Sequence, residues 1–259
     1  LDYLIKVKGL HFIEAMKILS EEEPLINHST RWNNPEPNKE RKLLLPEKSE
    51  TNLEVIRYLT GRGIDREIIK TCIEEGLIYE SLPYHNCIFV GYDETGKAAY
   101  ACYRATNGER LMGDATGSDK RYAFRINGSG STLHVFESAI DLLSFATIMK
   151  MRTGEWRAEP MVSLGGVYAP STNSKQSKLP VALENALQNQ TQINTIALHL
   201  DNDYAGRSAA ENIALQLRGE YEVRNEPPSY GKDYNDCLKH ICQHSRSRKM
   251  DPYMGNGCR

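Results

Sequence analysis

The chain has 259 residues, 40% of them hydrophobic and 25% charged, with a formal net charge of −2. That composition is ordinary for a globular protein of one large or two small domains, and no apolar run approaches the ~18 residues of a membrane helix. The near-neutral balance excludes a global basic field, so nucleic-acid contact would need a local basic surface.

The chain starts Leu-Asp-Tyr-Leu. It has no initiator Met, basic n-region or small-residue cleavage site, which predicts a piece of a longer protein without a secretion signal. Its six cysteines, Cys72, Cys87, Cys102, Cys237, Cys242 and Cys258, form no Cys-x-x-Cys and pair with no histidine at zinc-finger spacing. Zinc is not expected within this stretch, and scattered thiols fit a reducing cytoplasm.

Residues 1–24 read as a helical segment, with Leu4, Ile5, Phe12, Ala15, Met16 and Leu19 near helical spacing. Residues 25–50 are polar, with Pro35, Pro37, Pro46 and the charged run Asn38 to Lys42, a linker signature. Residues 51–128 open with two helical patterns, "LEVIRYLTGRG" and "DREIIKTCIEEGL". Asp65 is placed as an N-cap and Gly76 as a C-terminal stop. In "CIFVGYDETGKAAYACYRAT" two strand-like runs flank Asp93 to Gly96, which predicts a hairpin. The same turn nearly spells a phosphate-binding loop. However, Ala98 has no hydroxyl for a metal, and Asp93 and Glu94 would repel phosphate, so the hairpin is preferred. A glycine-rich basic stretch, "GDATGSDKRYAFRI", follows. Bases could stack on Tyr122 and Phe124 there, though an ordinary strand with one buried face explains them equally well.

Over residues 129–242 strands and helices alternate: "TLHVFE", "AIDLLSFATIMK", "MVSLGG", "LPVALENALQ", "TIALHLD", "YAGRSAAENIALQLRG", "YEVRNEP". Four short strands alternating with helices imply an α/β, Rossmann-like domain with a four-stranded parallel sheet covered on both faces. Ligands of such sheets bind beyond the carboxyl ends of the strands. Residues 243–259, "QHSRSRKMDPYMGNGCR", read as a loose basic tail.

Acids stand at those carboxyl ends: Glu137 ends the first strand, and Asp201 and Asp203 end the third. Residues two apart on an extended chain point to the same side, so Asp201 and Asp203 can aim at one point. Asp141, four residues after Glu137, shares its face if the helix begins at Glu137. Crowded carboxylates raise one another's pKa, and a divalent cation resolves the repulsion. All-oxygen ligands select a hard ion, Mg²⁺ first and Mn²⁺ as the alternative. Taken alone, Asp-x-Asp at a strand end is more often a helix cap than a metal ligand, and Asp141 fits a first-turn acid. Glu137 at the parallel position of another strand tips the balance to metal. His199, inside an apolar strand, is expected to be packed core. Arg57, Arg62, Arg66 and Lys70 on the helical pair read by default as a solvated face, with phosphate contact as the lesser alternative.

"VFESAIDLLSF" followed by "LHLDNDYAGRSAA" resembles the Toprim domain of bacterial primases, type IA topoisomerases and related proteins. The shared pattern is a glutamate after the first strand, an aspartate four residues on, a glycine turn (Leu164-Gly165-Gly166) after the second strand, and Asp-x-Asp with Ala-Gly after the third. The resemblance spans residues 131–242. "PPSYGKDYND" looks like the primase segment after the last strand: Asp233 matches an acid there, and Asn235 stands where primases tend to have a second Asp. More weakly, residues 51–128 look like the basic α+β subdomain that precedes Toprim in primases, and residues 1–24 like the helical segment after the primase zinc ribbon. Zinc would then belong to a region upstream of Leu1. The family resembled is the primase-like Toprim proteins of plasmids and integrative elements, with a domain of unknown function before the Toprim part.

The resemblance implies Mg²⁺-dependent nucleotidyl or phosphodiester transfer, most simply primer synthesis in mobile-element DNA replication. Glu137, Asp201 and Asp203 would be catalytic. Glu137, Asp141, Asp201, Asp203 and Asp233 would hold metal. Arg104, Lys120, Arg121 and Lys232 would face the nucleotide or template. Expected partners are single-stranded DNA and NTPs, with a helicase or relaxase, and no membrane. The alternatives are a Toprim nuclease using the same acids and a non-catalytic module that binds DNA or a partner. A topoisomerase is disfavoured because the chain is too short for strand-gating domains.

Overall fold

Asn52 and Asp65 precede two short helices, α1 (Leu53–Gly61) and α2 (Arg66–Glu74), in a computed structural model that describes residues 42–166 and 178–249. The expected helical segment 1–24, most of the linker and the end of the tail lie outside the described residues. Asp65 caps α2 as its position predicted, accepting the Glu67 and Ile68 amides. Asn52 makes no such bond. The orphan amides of α1 turn instead to Glu80, a buried carboxylate distant in sequence, whose Oε2 accepts the Glu54 N–H at 2.8 Å and the Val55 N–H at 3.3 Å.

Strands β1 (Ile78–Glu80), β2 (Cys87–Tyr92), β3 (Ala98–Arg104) and β4 (Met112–Asp114) pair antiparallel in that order. The β2–β3 turn is the predicted hairpin. Asp93 Oδ1 accepts the amides of Thr95 (2.9 Å) and Lys97 (3.0 Å), and Gly96 takes φ +80°. A loop whose acid consumes its own amides has none to offer a phosphate.

The second sheet holds β5 (Arg125–Ile126), β6 (Thr132–Phe136), β7 (Met161–Ser163), β8 (Thr195–His199) and β9 (Glu222–Asn225), in the order β5-β7-β6-β8-β9. Strands β6 to β9 are parallel, as expected. A fifth strand, β5, joins antiparallel to β7; its two residues are too few to show a period. Helices α3 (Ala139–Thr153), α4 (Val181–Asn189), α5 (Tyr204–Gln216) and α6 (Tyr234–Lys249) connect or follow the strands. Helix α6 runs on to Lys249, so residues 243–249, expected to begin a loose tail, are helical.

From β6 the chain crosses to β7 on one side, then returns to β8 on the other. The crevice at the carboxyl ends of β6 and β8 is therefore the topological switch point, where ligands of open α/β sheets bind. Phe136 and His199 are register partners at the ends of these strands, so the residues that follow them emerge side by side.

The segments expected as separate domains share one core. Val55, Leu59, Ile68 and Phe89 of the first belong to the same buried cluster as Phe136, Leu142, Leu143 and Ala146 of the second. Truncating one large aliphatic in such a core costs about 2–5 kcal/mol. Sequence periodicity marks where elements change, but it does not reveal which faces pack together. His199 lies in this interior as expected, 1% exposed, stacked on Phe136 and hydrogen-bonded to His134 at 2.7 Å. Among the described residues no helix is long and apolar enough to cross a membrane.

Candidate active site

Five acids gather around the switch point, each placed by the end of a strand or the start of a helix. Glu137 follows β6 directly. Ser138, a residue the sequence reading passed over, caps α3, which starts at Ala139. The expected sharing of one helix face by Glu137 and Asp141 therefore fails, because Glu137 precedes the helix. Asp141 sits in the first turn, 6% exposed, and accepts the Ser138 hydroxyl at 2.5 Å.

Asp201 and Asp203 leave β8 and share one cation: the Lys232 ammonium lies 3.0 Å from Asp201 Oδ2 and 3.0 Å from Asp203 Oδ2. The capping reading of Asp203 holds, and the same carboxylate also pairs with Lys232. Its Oδ1 caps α5 by accepting the Gly206 amide at 2.9 Å, while Oδ2 faces the site. The Asn202 amide donates to the Lys232 carbonyl at 2.7 Å, fixing the β8–α5 loop to the β9–α6 loop. Gly206 permits the close approach of α5: a Cβ there would lie 2.1 Å from the Asp201 carbonyl oxygen. Asp233 caps α6, accepting the Asp236 amide at 2.7 Å.

The electrostatics record the convergence. Burial, then the charges of Asp201 and Asp203, push the Glu137 carboxyl up to about 7. Burial, with the charges of Asp233 and Asp201, raises Asp141 to about 7 against the opposing Ser138 hydrogen bond. Asp201 is raised by burial even with Lys232 beside it, whereas Asp203 is lowered by the Gly206 amide and then by Lys232. Glu137 Oε2 is buried with no hydrogen-bond partner. A buried carboxylate oxygen without a partner is costly, and such sites cluster where function requires them.

Residues 134–238 match the family model described as "Toprim-like", and residues 57–130 match the one described as "Protein of unknown function (DUF3991)". The chain therefore carries a Toprim-like domain preceded by a DUF3991 segment. Among solved structures it is similar to the primase fragment of the bacteriophage T7 primase-helicase protein, at 20% identity over 75% of this chain and 73% of that one, with a TM-score of 0.49. The E. coli primase catalytic core is similar at 15% identity over 78% and 74%, TM-score 0.46. A DNA primase domain from Pseudomonas aeruginosa is similar at 16% identity over 76% and 71%, TM-score 0.44. No curated protein matches.

The Toprim acids suit a divalent cation by chemistry: the donors are carboxylates, one oxygen is orphaned, and the charges repel. Among the described residues no group of three or more His, Cys, Asp or Glu side chains stands ready to hold a metal as placed. The two observations are compatible, because Lys232 stands between Asp201 and Asp203 as their counter-charge. The donor set fits the ion, in an arrangement adapted to an ammonium.

The expected cations are dispersed. Lys232 meets the acids directly. Lys120 Nζ donates to the Gly165 carbonyl at 2.9 Å and lies 3.3 Å from Asp114 Oδ2, which puts it beside the glycine turn after β7. Arg121 forks onto neighbouring Asp119, and Arg104 closes β3 on the small sheet. On the helical pair, Arg57 pairs with Glu54 and Lys70 with Glu74, as a solvated face would. Tyr122 keeps its hydroxyl on Glu94 at 2.9 Å, and Phe124 is fully buried; Phe124 is therefore core and offers no face for a base.

Asn235, which departs from the primase pattern, has a structural explanation. It is 2% exposed, and its Nδ2 donates to the Arg62 carbonyl and to Ser144 Oγ, both at 3.0 Å, while its Oδ1 accepts from Arg62 Nη1 at 3.0 Å. A carboxylate has no donors for the first two bonds. Its backbone N–H donates to Asp141 Oδ1 at 3.4 Å, so Asn235 touches the DUF3991 segment through its side chain and a Toprim acid through its backbone.

Proposed function

We propose that this protein catalyses Mg²⁺-dependent nucleotidyl transfer on nucleic acid, as a primase-like enzyme that makes primers in the replication of a mobile element. The observation that carries the reading is Glu137: a half-buried carboxyl with a buried, unpartnered Oε2, raised to about 7 beside Asp201 and Asp203 at the switch point. A group that titrates near working pH is poised to take the proton of an attacking hydroxyl. Asp201 and Asp203, with Asp141 and Asp233 in support, would hold Mg²⁺ or Mn²⁺. When bound, the ion would neutralise charge on the transferring phosphate. Lys232 and Lys120 border the acids and the glycine turn, where they would orient a triphosphate, while Arg104 and Arg121 would contact a template backbone. Single-stranded DNA and NTPs are the partners this chemistry requires, with a helicase or relaxase supplying the strand. The thiols of Cys72, Cys87, Cys102, Cys237 and Cys242 are unpaired, which agrees with work in a reducing cytoplasm.

The test is primer synthesis on single-stranded DNA with NTPs and Mg²⁺, comparing the wild type with Asp201→Asn and Glu137→Gln. Synthesis should fall at least a hundredfold in each variant. Robust synthesis unchanged in both overturns the reading. Nicking of plasmid DNA without NTPs, lost in the same variants, would turn the assignment to a nuclease. One observation favours a non-catalytic Toprim module: Lys232 already neutralises the acid pair. Calorimetry with Mg²⁺ separates the two, because a scaffold relying on its lysine takes up no ion at these acids.

A further inference from the structure

Beyond the acids, the β9–α6 loop carries a feature the site does not use. Tyr230, two residues before Lys232, stays 53% exposed although its ring lies flat on His240, with centroids 3.7 Å apart and planes at 17°. His240 in turn touches His244 one helical turn later, centroid to centroid at 4.0 Å. A solvent-exposed ring backed by a second ring loses little freedom when a flat ligand settles on its outer side. Its position is also fixed relative to the site, because the Asn202 amide holds the Lys232 carbonyl and so ties this loop to Asp201 and Asp203.

We propose that Tyr230, seated on His240, is a stacking platform for a base of single-stranded nucleic acid entering or leaving the acid crevice. Charge selects this occupant. Over Tyr234–Lys249 the sequence of α6 has Lys239, Arg246, Arg248 and Lys249 against one acidic residue, Asp236, in a chain whose net charge is −2. A polyanion complements that local excess. Exposed aromatic faces interleaved with cations are how proteins hold unpaired bases with little sequence preference. A duplex keeps its bases stacked on one another and offers no face, so the preference is for single strands. This deepens the proposed function and rests on it for the role of the strand, but its test needs no turnover.

The experiment is fluorescence anisotropy of the full chain with a labelled oligo(dT) and a hairpin duplex of equal charge, in EDTA without NTPs. Tyr230→Ala and His240→Ala should each weaken oligo(dT) binding about tenfold and leave duplex binding within twofold. Tyr230→Phe should bind as wild type does, because the ring is retained. Oligo(dT) affinity unchanged in the alanine variants, equal losses for duplex and single strand, or no wild-type binding to oligo(dT) would each overturn the platform. Binding that follows these expectations in a protein that makes no primers would leave the platform standing and remove the primase reading.

Discussion

Replacing Glu137 by Gln should stabilise the metal-free protein, and by an amount that depends on pH. In the folded chain the Glu137 carboxyl is raised from its ordinary 4.5 to about 7, first by burial and then by Asp201 and Asp203. A raised carboxyl binds its proton more tightly folded than unfolded. Stability therefore falls as pH climbs from about 4.5 to 7, and the penalty is complete above that range. At about 1.36 kcal/mol per pH unit the ceiling is about 3 kcal/mol; solvent at the open mouth of the crevice reduces it to about 1–2 kcal/mol. Gln has nearly the same shape and no charge to lose. The assay is urea unfolding in EDTA at pH 4.5 and pH 8, wild type against variant. The variant should match the wild type at the lower pH and exceed it by about 1–2 kcal/mol at the higher, or roughly 2–8 °C in Tm for a protein of this size. Half-buried His134 and buried His199, lowered to about 4 and about 3 chiefly by burial, act in the opposite sense. Being neutral when folded, they cost stability as pH falls below 6.5, but they are present in both proteins and cancel in the difference. A stability difference that is the same at both pH values would refute the claim that repulsion and burial hold Glu137 near neutrality.

Lys232→Ala should tighten Mg²⁺ binding several-fold in calorimetry, because Asp201 and Asp203 lose their resident counter-charge. With the lysine side chain 56% exposed, the loss of metal-free stability should stay under about 1 kcal/mol; weakened Mg²⁺ binding would show that the lysine does not compete with the ion. Gly206→Ala should cost about 1–3 kcal/mol in urea unfolding, since its Cβ would meet backbone, the Asp201 carbonyl oxygen at 2.1 Å. It should also weaken Mg²⁺ binding by moving α5 away from Asp201, and a stable variant with normal ion binding would contradict the close approach. Asn235→Ala should cost about 2–3 kcal/mol, because it removes the donor to the part-buried Arg62 carbonyl and the acceptor of Arg62 Nη1. A change below about 0.5 kcal/mol in thermal unfolding would mean that water replaces those bonds.

The order of elements was written in the sequence, because strand and helix periods and the Asp65 cap are local and hold in the fold. The alternation of "TLHVFE", "MVSLGG" and "TIALHLD" with helical patterns was enough to predict parallel strands, and strand ends are where acids such as Glu137, Asp201 and Asp203 stand out against apolar neighbours. Other features depended on contacts between distant segments, and these have no local signal. The short strand β5 exists only because β7 offers an edge. Helix α1 is capped from β1 by Glu80. The chain positions of Lys232 and Asn235 show neither that the lysine bridges two aspartates nor that the amide clasps Arg62 across more than half the chain. Charge pairing and burial are properties of neighbours in space, so which acids repel, which is neutralised and which keeps a proton were decided by tertiary packing alone.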